Sequence, residues 1–506
     1  MIILYNPVSN ALRKPVLPMS LLALGALLEG HHEYCIIDGN LERDALAAIE
    51  RAVRDHGARM LGVTVMPGPQ LHEAVPLCRE LKARHPDLTI VWGGYFPTQH
   101  YEACLKASYV DYVVRGHGEV VFKALIDALA SGGDVAAIPG VAYRRMGSTP
   151  PPVVTAGVIP LQQSPVVSNP LAAIPRPDDL PDFPYQRVDV ARYIRPTFMG
   201  QRTLPHHSSY GCPFFCNFCA VVNMVNGRWI AQSAERTAAT TRYLANTFGV
   251  DAVEFYDNNF FVHEARTLEF SERIMDLKIG WWGEARIDTM LKYRDTTWQK
   301  MRESGLRMVF LGAESGSDAT LQRMNKGGSA SVAKTIEIAQ KMRRYGIVPE
   351  MSFVLGNPPD PESDTEETIA FIRKIKQVNP ETEVIMYLYT PVPLAGELYD
   401  QAKAEGFRFP ETLEEWINPE WQEFSQRRST TMPWLKDPLR QRIRDFERVL
   451  NAYYPTSTDI RLGGWRRLAL RGVSAWRYHS RTYQFPLELR AMQKLITYQR
   501  PDTAGF

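Results

Sequence analysis

Three of the six cysteines in this 506-residue chain, Cys212, Cys216 and Cys219, fall inside eight residues of the stretch Tyr210-Gly-Cys-Pro-Phe-Phe-Cys-Asn-Phe-Cys-Ala220. A Cys-x3-Cys-x2-Cys loop can offer three thiolates to a metal centre from one side, and soft sulfur suits iron–sulfur clusters and zinc. A four-iron cluster wants a fourth ligand, so three thiolates leave one iron open to a group that is not protein. The competing reading is a zinc site completed by His206 or His207. A disulfide would strand an odd thiol. Gly211, Pro213, Phe214, Phe215 and Phe218 are read as a dry collar, which suits a redox cluster.

The rest of the chain must position that loop. Its length implies two or three domains. Hydrophobic content of 45% and charged content of 23% are those of a folded soluble protein, and a net charge of +2 singles out no class of partner. Cys35, Cys78 and Cys104 are scattered in apolar or helical contexts and read as core packing. The opening Met-Ile-Ile-Leu-Tyr-Asn-Pro lacks the basic and small-residue signals of a leader, and no apolar run reaches membrane-spanning length, so a cytoplasmic protein is expected.

Residues 1–145 alternate short apolar runs (Ile2–Tyr5, Tyr34–Ile37, Met60–Val65, Thr89–Trp92, Tyr112–Val114) with amphipathic stretches (Met19–Leu28, Leu41–Arg54, Gln70–Arg84, Glu119–Ala130). That alternation predicts a doubly wound, Rossmann-like parallel sheet with ligands at the strands' carboxyl ends. Candidate ligand-binding residues at those ends are Asn6, Gly39, Asn40, Pro67, Gly68, Gly93, Gly94, Gly116, Gly118 and Glu119. Glycine lets backbone lie against a flat ligand, and the absence of Gly-x-Gly-x-x-Gly after the first strand disfavours a dinucleotide. His72 reads as a solvated helix residue and His117 as a polar turn residue. Residues 146–200 read as a linker, rich in Pro, Val, Ser and Gln through residue 185 and extended rather than helical.

Residues 201–405 repeat strand, turn and helix. Strands are expected at Val253–Tyr256, Trp281–Ala285, Met308–Leu311, Pro349–Val354 and Glu383–Tyr389, the plan of a partial β/α barrel with its chemistry at the carboxyl ends. Those ends carry Tyr256, Asp257 and Asn258, then Glu284 and Arg286, then Gly312, Glu314 and Ser315, then Gly356. Residues 406–506 form a mainly helical, aromatic-rich C-terminal region. From Lys436 to Arg500 it holds 14 Lys/Arg against 5 Asp/Glu, with aromatics from Tyr453 to Tyr498 interleaved. Trp465, Leu468 and Trp476 can share one side of a helix, which makes peripheral membrane contact one expectation and a solvated cap the other. No nucleic-acid module accompanies the charge, so no nucleic-acid partner is expected.

The cysteine loop resembles that of radical S-adenosylmethionine (SAM) enzymes. Trp92-Gly-Gly-Tyr-Phe-Pro-Thr98, Asp111–Glu119, Leu17–Leu22 and Ile138–Tyr143 resemble the cobalamin-binding domain that precedes the radical SAM domain in one large subgroup. That subgroup includes methyltransferases and the anaerobic magnesium-protoporphyrin ester cyclase-like group. The resemblance implies a 4Fe–4S cluster on Cys212, Cys216 and Cys219, SAM on the open iron, and cobalamin in the first domain. Tyr256-Asp-Asn-Asn-Phe260 is similar to a segment near the SAM amino group, with Asn258 where the family has Asp. Gly312–Ser317 is similar to the segment touching SAM's carboxylate and ribose, and Val354–Pro359 to the one near the adenine. An Asp-x-His-x-x-Gly loop for a cobalt-ligating histidine is missing. The implied activity is methylation of an unactivated carbon of a small-molecule or lipid-like substrate, with flavodoxin or ferredoxin as electron donor. An oxidative cyclase with the same cofactors and a non-catalytic zinc or cobalamin binding protein are the alternatives.

Overall fold

The computed structural model describes residues 1–10, 15–145, 165–326, 330–394, 396–425, 432–460 and 462–496. Two compact units emerge: Met1–Arg192 with Asn223–Val225 and Phe409–Ser425, and Tyr193–Val222 with Asn226–Arg408 and Gln426–Phe506.

The first unit is built on strands β1 (Ile2–Asn6), β2 (Tyr34–Asp38), β3 (Met60–Thr64), β4 (Thr89–Gly93), β5 (Tyr112–Val114), β6 (Val141–Arg144) and β7 (Val166–Ser168), in the order β2-β1-β3-β4-β5-β6-β7. β1 to β5 are parallel, as the unbroken apolar runs require, and every residue of β1 is buried. Leu4, Leu21, Leu28, Phe122 and Leu125 lie in the cluster where helices Met19–Leu28 and Glu119–Ser131 cover the sheet. The strand order reverses between β1 and β3, and such a switch point opens a crevice at the strands' carboxyl ends.

Three expectations need correction. β6 and β7 add an antiparallel edge to the parallel sheet, pairing Val113 with Ala142 and Tyr143 with Val167. The tether is also not uniformly extended: it supplies β7 and short 3-10 turns at Pro177–Asp179, Tyr185–Arg187 and Val190–Tyr193. These short segments stand outside the strand–helix alternation, which is why the pattern missed them. Residues 146–164 of the expected linker lie outside the described residues. His72 is half-buried rather than solvated, and burial lowers its pKa. Cys78 and Cys104 are core residues as expected, with burial pushing the Cys78 thiol up to about 12.

The second unit carries an open sheet of six parallel strands, β8 (Thr203–His206), β11 (Ala252–Phe255), β12 (Gly280–Ala285), β13 (Leu306–Glu314), β14 (Val348–Leu355) and β15 (Glu383–Leu388), ordered β15-β14-β13-β12-β11-β8. This is the partial barrel, including a first strand that the periodicity left unassigned. A two-stranded ribbon, β9 (Ser209–Gly211) against β10 (Trp229–Ala231), leaves β8 and brackets the cysteine loop, with Gly211 opposite Trp229. Helices Asp437–Tyr453, Gly464–Ser480 and Leu487–Leu495 make up the C-terminal part; Tyr498 lies outside the described residues. Phe409–Ser425 groups instead with the first unit, where Trp416 packs edge-on against Phe96.

Candidate functional site

The cysteine loop is braced by one later segment. Asn217 N–H donates to the Met324 carbonyl (3.1 Å) and its Nδ2 to the Arg323 carbonyl (2.6 Å), while Asn325 Nδ2 donates to the Phe215 carbonyl (2.8 Å). Arg286, just past β12, completes the frame. Its Nε and Nη2 hold Asp288 in a fork of two 3.0 Å bonds, Nη2 also reaches the Lys326 carbonyl, and Nη1 donates to Cys216 Sγ at 3.3 Å. The guanidinium lies 3.8 Å above the Phe214 ring. Arg286 and Asp288 are both buried, so the fork is a desolvated, bidentate ion pair.

A second donor faces the sulfurs. Asn259 Nδ2 sits 3.6 Å from Cys212 Sγ, with its own carbonyl accepting from Trp229 Nε1 at 2.8 Å. Donors aimed at sulfur suit thiolates that share negative charge with a cluster, because they favour the electron-rich state. The residues present therefore fit an iron–sulfur group. His206, the zinc alternative's ligand, is buried with its ring edge against Phe255 and within 3.4 Å of Gln232 Oε1. Burial raises the Cys216 pKa while Lys326 and Arg286 pull it back. The aromatic collar is less closed than expected: Phe215 is 51% exposed and packs where a Cβ on Gly227 would collide with its ring.

Beyond the cysteines, the structure sorts the predicted residues. Glu314 is buried at the end of β13 with φ +63°, a left-handed conformation rare for a side chain other than Gly or Asn. It pairs with buried Lys326 Nζ, and Ser352 Oγ lies 3.4 Å from its other oxygen. A Cβ on Gly312 would meet the ends of both side chains, so the pair would have to shift to admit one. Asp257 is fully buried and already saturated: Ser208 N and Oγ donate at 2.6 Å and Ser209 Oγ at 2.7 Å. Its carboxylate holds the approach to the cysteine loop, and exposed Asn258 accepts from Gly211 N at 3.2 Å. Ser315 is likewise used internally, donating to Asp364 at 3.1 Å. The open side of Gly356 (φ +74°) is filled by Leu435, and Trp434 Nε1 donates to its carbonyl.

Tyr256 donates to Glu254 (3.0 Å) and accepts from Arg195 (3.1 Å). In the same sheet Glu284, Phe310, Glu350 and Glu383 form one row across β12 to β15. Burial first, then the Glu383 charge, raises Glu350 far above the ordinary carboxylate range.

In the first unit, Asn6, Asp38, Asn40 and Gln70 lace the switch point together. Asn6 Nδ2 donates to Asp38 (3.0 Å), Gln70 Nε2 to Asn6 (2.8 Å) and Asn40 Nδ2 to Asp38 (2.8 Å). Gly68, Gly94 and Gly116 all take positive φ at strand ends. A Cβ on Gly94 would press on Val65 backbone at 3.2 Å, so the close approach there requires glycine. Gly39 is likewise enclosed by Tyr5, Glu73 and Val8, whereas Gly93 and Gly118 are not so crowded. Pro67 precedes the helix Pro69–Arg84, and Glu119 opens the helix Glu119–Ser131 with His117 Nδ1 3.9 Å away. Sequence reasoning missed Asn259, Asp288 and Lys326. Asn259 stands one place past Asn258, while Lys326 follows a short helix with no strand-end signal.

Residues 7–126 match the B12 binding domain and residues 207–372 the Radical SAM superfamily. The chain is 27% identical over 365 residues to an uncharacterized methyltransferase of Pyrococcus horikoshii, covering 71% of this chain and 73% of that protein. It is 27% identical over 403 residues to the anaerobic magnesium-protoporphyrin IX monomethyl ester cyclase of Synechocystis, covering 77% and 74%. Its fold is similar to the radical SAM methyltransferase TsrM of Kitasatospora setae, solved with cobalamin and a 4Fe–4S cluster (TM-score 0.59, 18% identity, 78% of this chain and 73% of that one). The chain is a radical SAM enzyme with a B12 binding domain, and its cofactors are cobalamin, SAM and a 4Fe–4S cluster.

Proposed function

We propose that this enzyme uses its cofactors to methylate an unactivated carbon of a small-molecule or lipid-like substrate. The observation that carries the reading is the cysteine loop itself, framed by two N–H donors aimed at its sulfurs and lying in a chain that also matches the B12 binding domain. When bound, the cluster and SAM supply a carbon-centred radical and cobalamin supplies the methyl group. The chain's own residues fix where this happens. Cys212, Cys216 and Cys219 ligate the cluster; Arg286 and Asn259 orient and polarise two of those thiolates. The buried Glu314–Lys326 pair is the charge complement of SAM's methionine end, a carboxylate beside an ammonium. Lys326 takes the ligand's carboxylate and Glu314 its amino group, since a carboxylate does not hold a carboxylate. Residues 1–145 hold cobalamin at the crevice between β1 and β3, and residues 201–405 carry the radical chemistry. Flavodoxin or ferredoxin supplies the electron.

A second reading, an oxidative cyclase with the same cofactors, is favoured by the similarity to the ester cyclase. Reduced, anaerobically prepared protein incubated with SAM should form 5′-deoxyadenosine, and Cys216→Ala should abolish it; nucleoside formation surviving that change refutes the cluster assignment. Iron and sulfide analysis of the same preparation separates both enzymatic readings from a zinc protein. Methyl-labelled SAM then decides between the two, because only methylation leaves the label in the product.

A further inference from the structure

The helix Gly464–Ser480 has two unlike sides. Leu470, Ser474, Arg477 and Tyr478 are buried, while Trp465 is 68% exposed, Leu468 72% and Trp476 54%. At 3.6 residues per turn, Leu468, Gly472, Trp465, Trp476, Ala469 and Val473 fall on one arc about 140° wide and roughly 16 Å long from Trp465 to Trp476. His479, which bonds the Tyr453 hydroxyl at 2.9 Å, is the one titratable residue on this arc, and no Lys, Arg, Asp or Glu interrupts it. Arg466 stands at one edge and Arg471 beyond the other, both exposed. The 17-residue helix contains four arginines and no acidic residue. Two of the four serve the fold: Arg467 donates to the Leu462, Thr456 and Asp459 carbonyls, and Arg477 pairs with Glu488. Arg466 and Arg471 rest on the Trp465 and Tyr453 rings, and neither meets a carboxylate among the described residues.

We infer that this face docks on an anionic lipid bilayer. An apolar arc edged by arginines, with tryptophan near each end, matches the head-group boundary: rings and Leu468 enter the acyl margin while the guanidiniums stay at lipid phosphates. A second copy of the same helix fits less well, because pairing two such faces brings arginine to arginine with no acid to separate them. Nucleic acid fits less well again, since the centre of the face is apolar and its cations stand only at the rim. No helix among the described residues is long and apolar enough to cross a membrane, so the contact is peripheral.

The test is co-sedimentation of the full chain with vesicles of 70:30 phosphatidylcholine and phosphatidylglycerol, against pure phosphatidylcholine. Anionic vesicles should bind about tenfold or more tightly, and 0.5 M salt should release much of the protein. Trp465→Ser with Trp476→Ser should lose binding to both vesicles; Arg466→Ser with Arg471→Ser should lose only the anionic preference. All four residues are exposed, so circular dichroism of the variants should match the parent. Equal sedimentation without vesicles, a dimer that Trp465→Ser dissociates, or binding to duplex DNA with indifference to vesicles would each overturn the inference.

Discussion

Lys326→Met separates a ligand-binding role from a structural one. Lys326 and Glu314 are both buried, and their pairing leaves Glu314 one other polar neighbour, Ser352 at 3.4 Å. Removing one member of a buried pair strands the other's charge, so the single variant should lose about 3–5 kcal/mol of stability. Glu314→Gln with Lys326→Met strands nothing and should recover most of that loss, which makes the double variant the usable protein. If Lys326 meets SAM's carboxylate, losing that charge-assisted bond weakens SAM by about 1.5–3 kcal/mol, or roughly 10- to 150-fold in Kd.

Decarboxylated SAM supplies the control that stability cannot. The parent enzyme should bind SAM more tightly than the decarboxylated ligand, and Lys326→Met should narrow that preference by the same roughly 10- to 150-fold. Equilibrium dialysis of reconstituted, oxygen-free protein gives both constants, and the change that each ligand makes in the reduced cluster's electron paramagnetic resonance spectrum reports seating at the iron. Lys326→Arg should restore part of the preference. An equal loss for both ligands would show that Lys326 acts only by holding Glu314, and the proposed exchange of partners would be wrong.

Two further outcomes follow from the charges. Arg286→Met removes a cation 3.3 Å from Cys216 Sγ, so the reduced cluster should become harder to reach; a tenfold change in the reduction equilibrium is 59 mV for one electron, and an unchanged midpoint in a spectroscopic redox titration would rule out a tuning role. Glu350 titrates far above the usual range because burial and the Glu383 charge oppose its ionisation. The folded state thus holds a proton that the unfolded chain releases near pH 4.5, and stability should fall as pH rises from there toward the folded pKa. Glu350→Gln should flatten that slope and raise the apparent melting temperature more at pH 8 than at pH 5; an identical pH dependence in both proteins would contradict the assignment.

Much of the fold was legible because most of the parallel strands are apolar runs and most of the longer helices carry their own period. Met19–Leu28 appears with the bounds its pattern gives. β6, β7 and β8 were not legible: the first two pair antiparallel at an edge that no βαβ rhythm announces, and β8 reads Thr-Leu-Pro-His, not an apolar run. At the site, spacing alone exposed the thiols, since three cysteines in eight residues suit a metal centre far better than they suit core packing. Their counter-charges were invisible. Lys326 reaches the site only through folding that ties Arg323 to Asn325 onto a loop over a hundred residues earlier. Asp257 and Ser315 resembled ligand contacts yet spend their polar atoms on neighbouring backbone and side chains, a distinction that exists only in three dimensions.

Two buried ion pairs beside the same three cysteines raise the question of why the chain keeps either. Such pairs seldom stabilise a protein relative to apolar packing, because desolvation offsets the attraction. The Arg286–Asp288 fork has a use already visible, since its remaining nitrogen is committed to Cys216; it is a fixed piece of the cluster's surroundings. Glu314 and Lys326 touch no sulfur in this way. Their pair rests on a backbone held at φ +63° and lies against Gly312, where a Cβ would displace it. Strain and desolvation concentrated at one place are what a binding site accepts when its charges must be ready for a ligand of opposite pattern. A pair that never meets the ligand leaves the double variant close to the parent in stability and binding SAM and decarboxylated SAM in the parent's ratio. An exchangeable pair predicts the same stability with that ratio reduced.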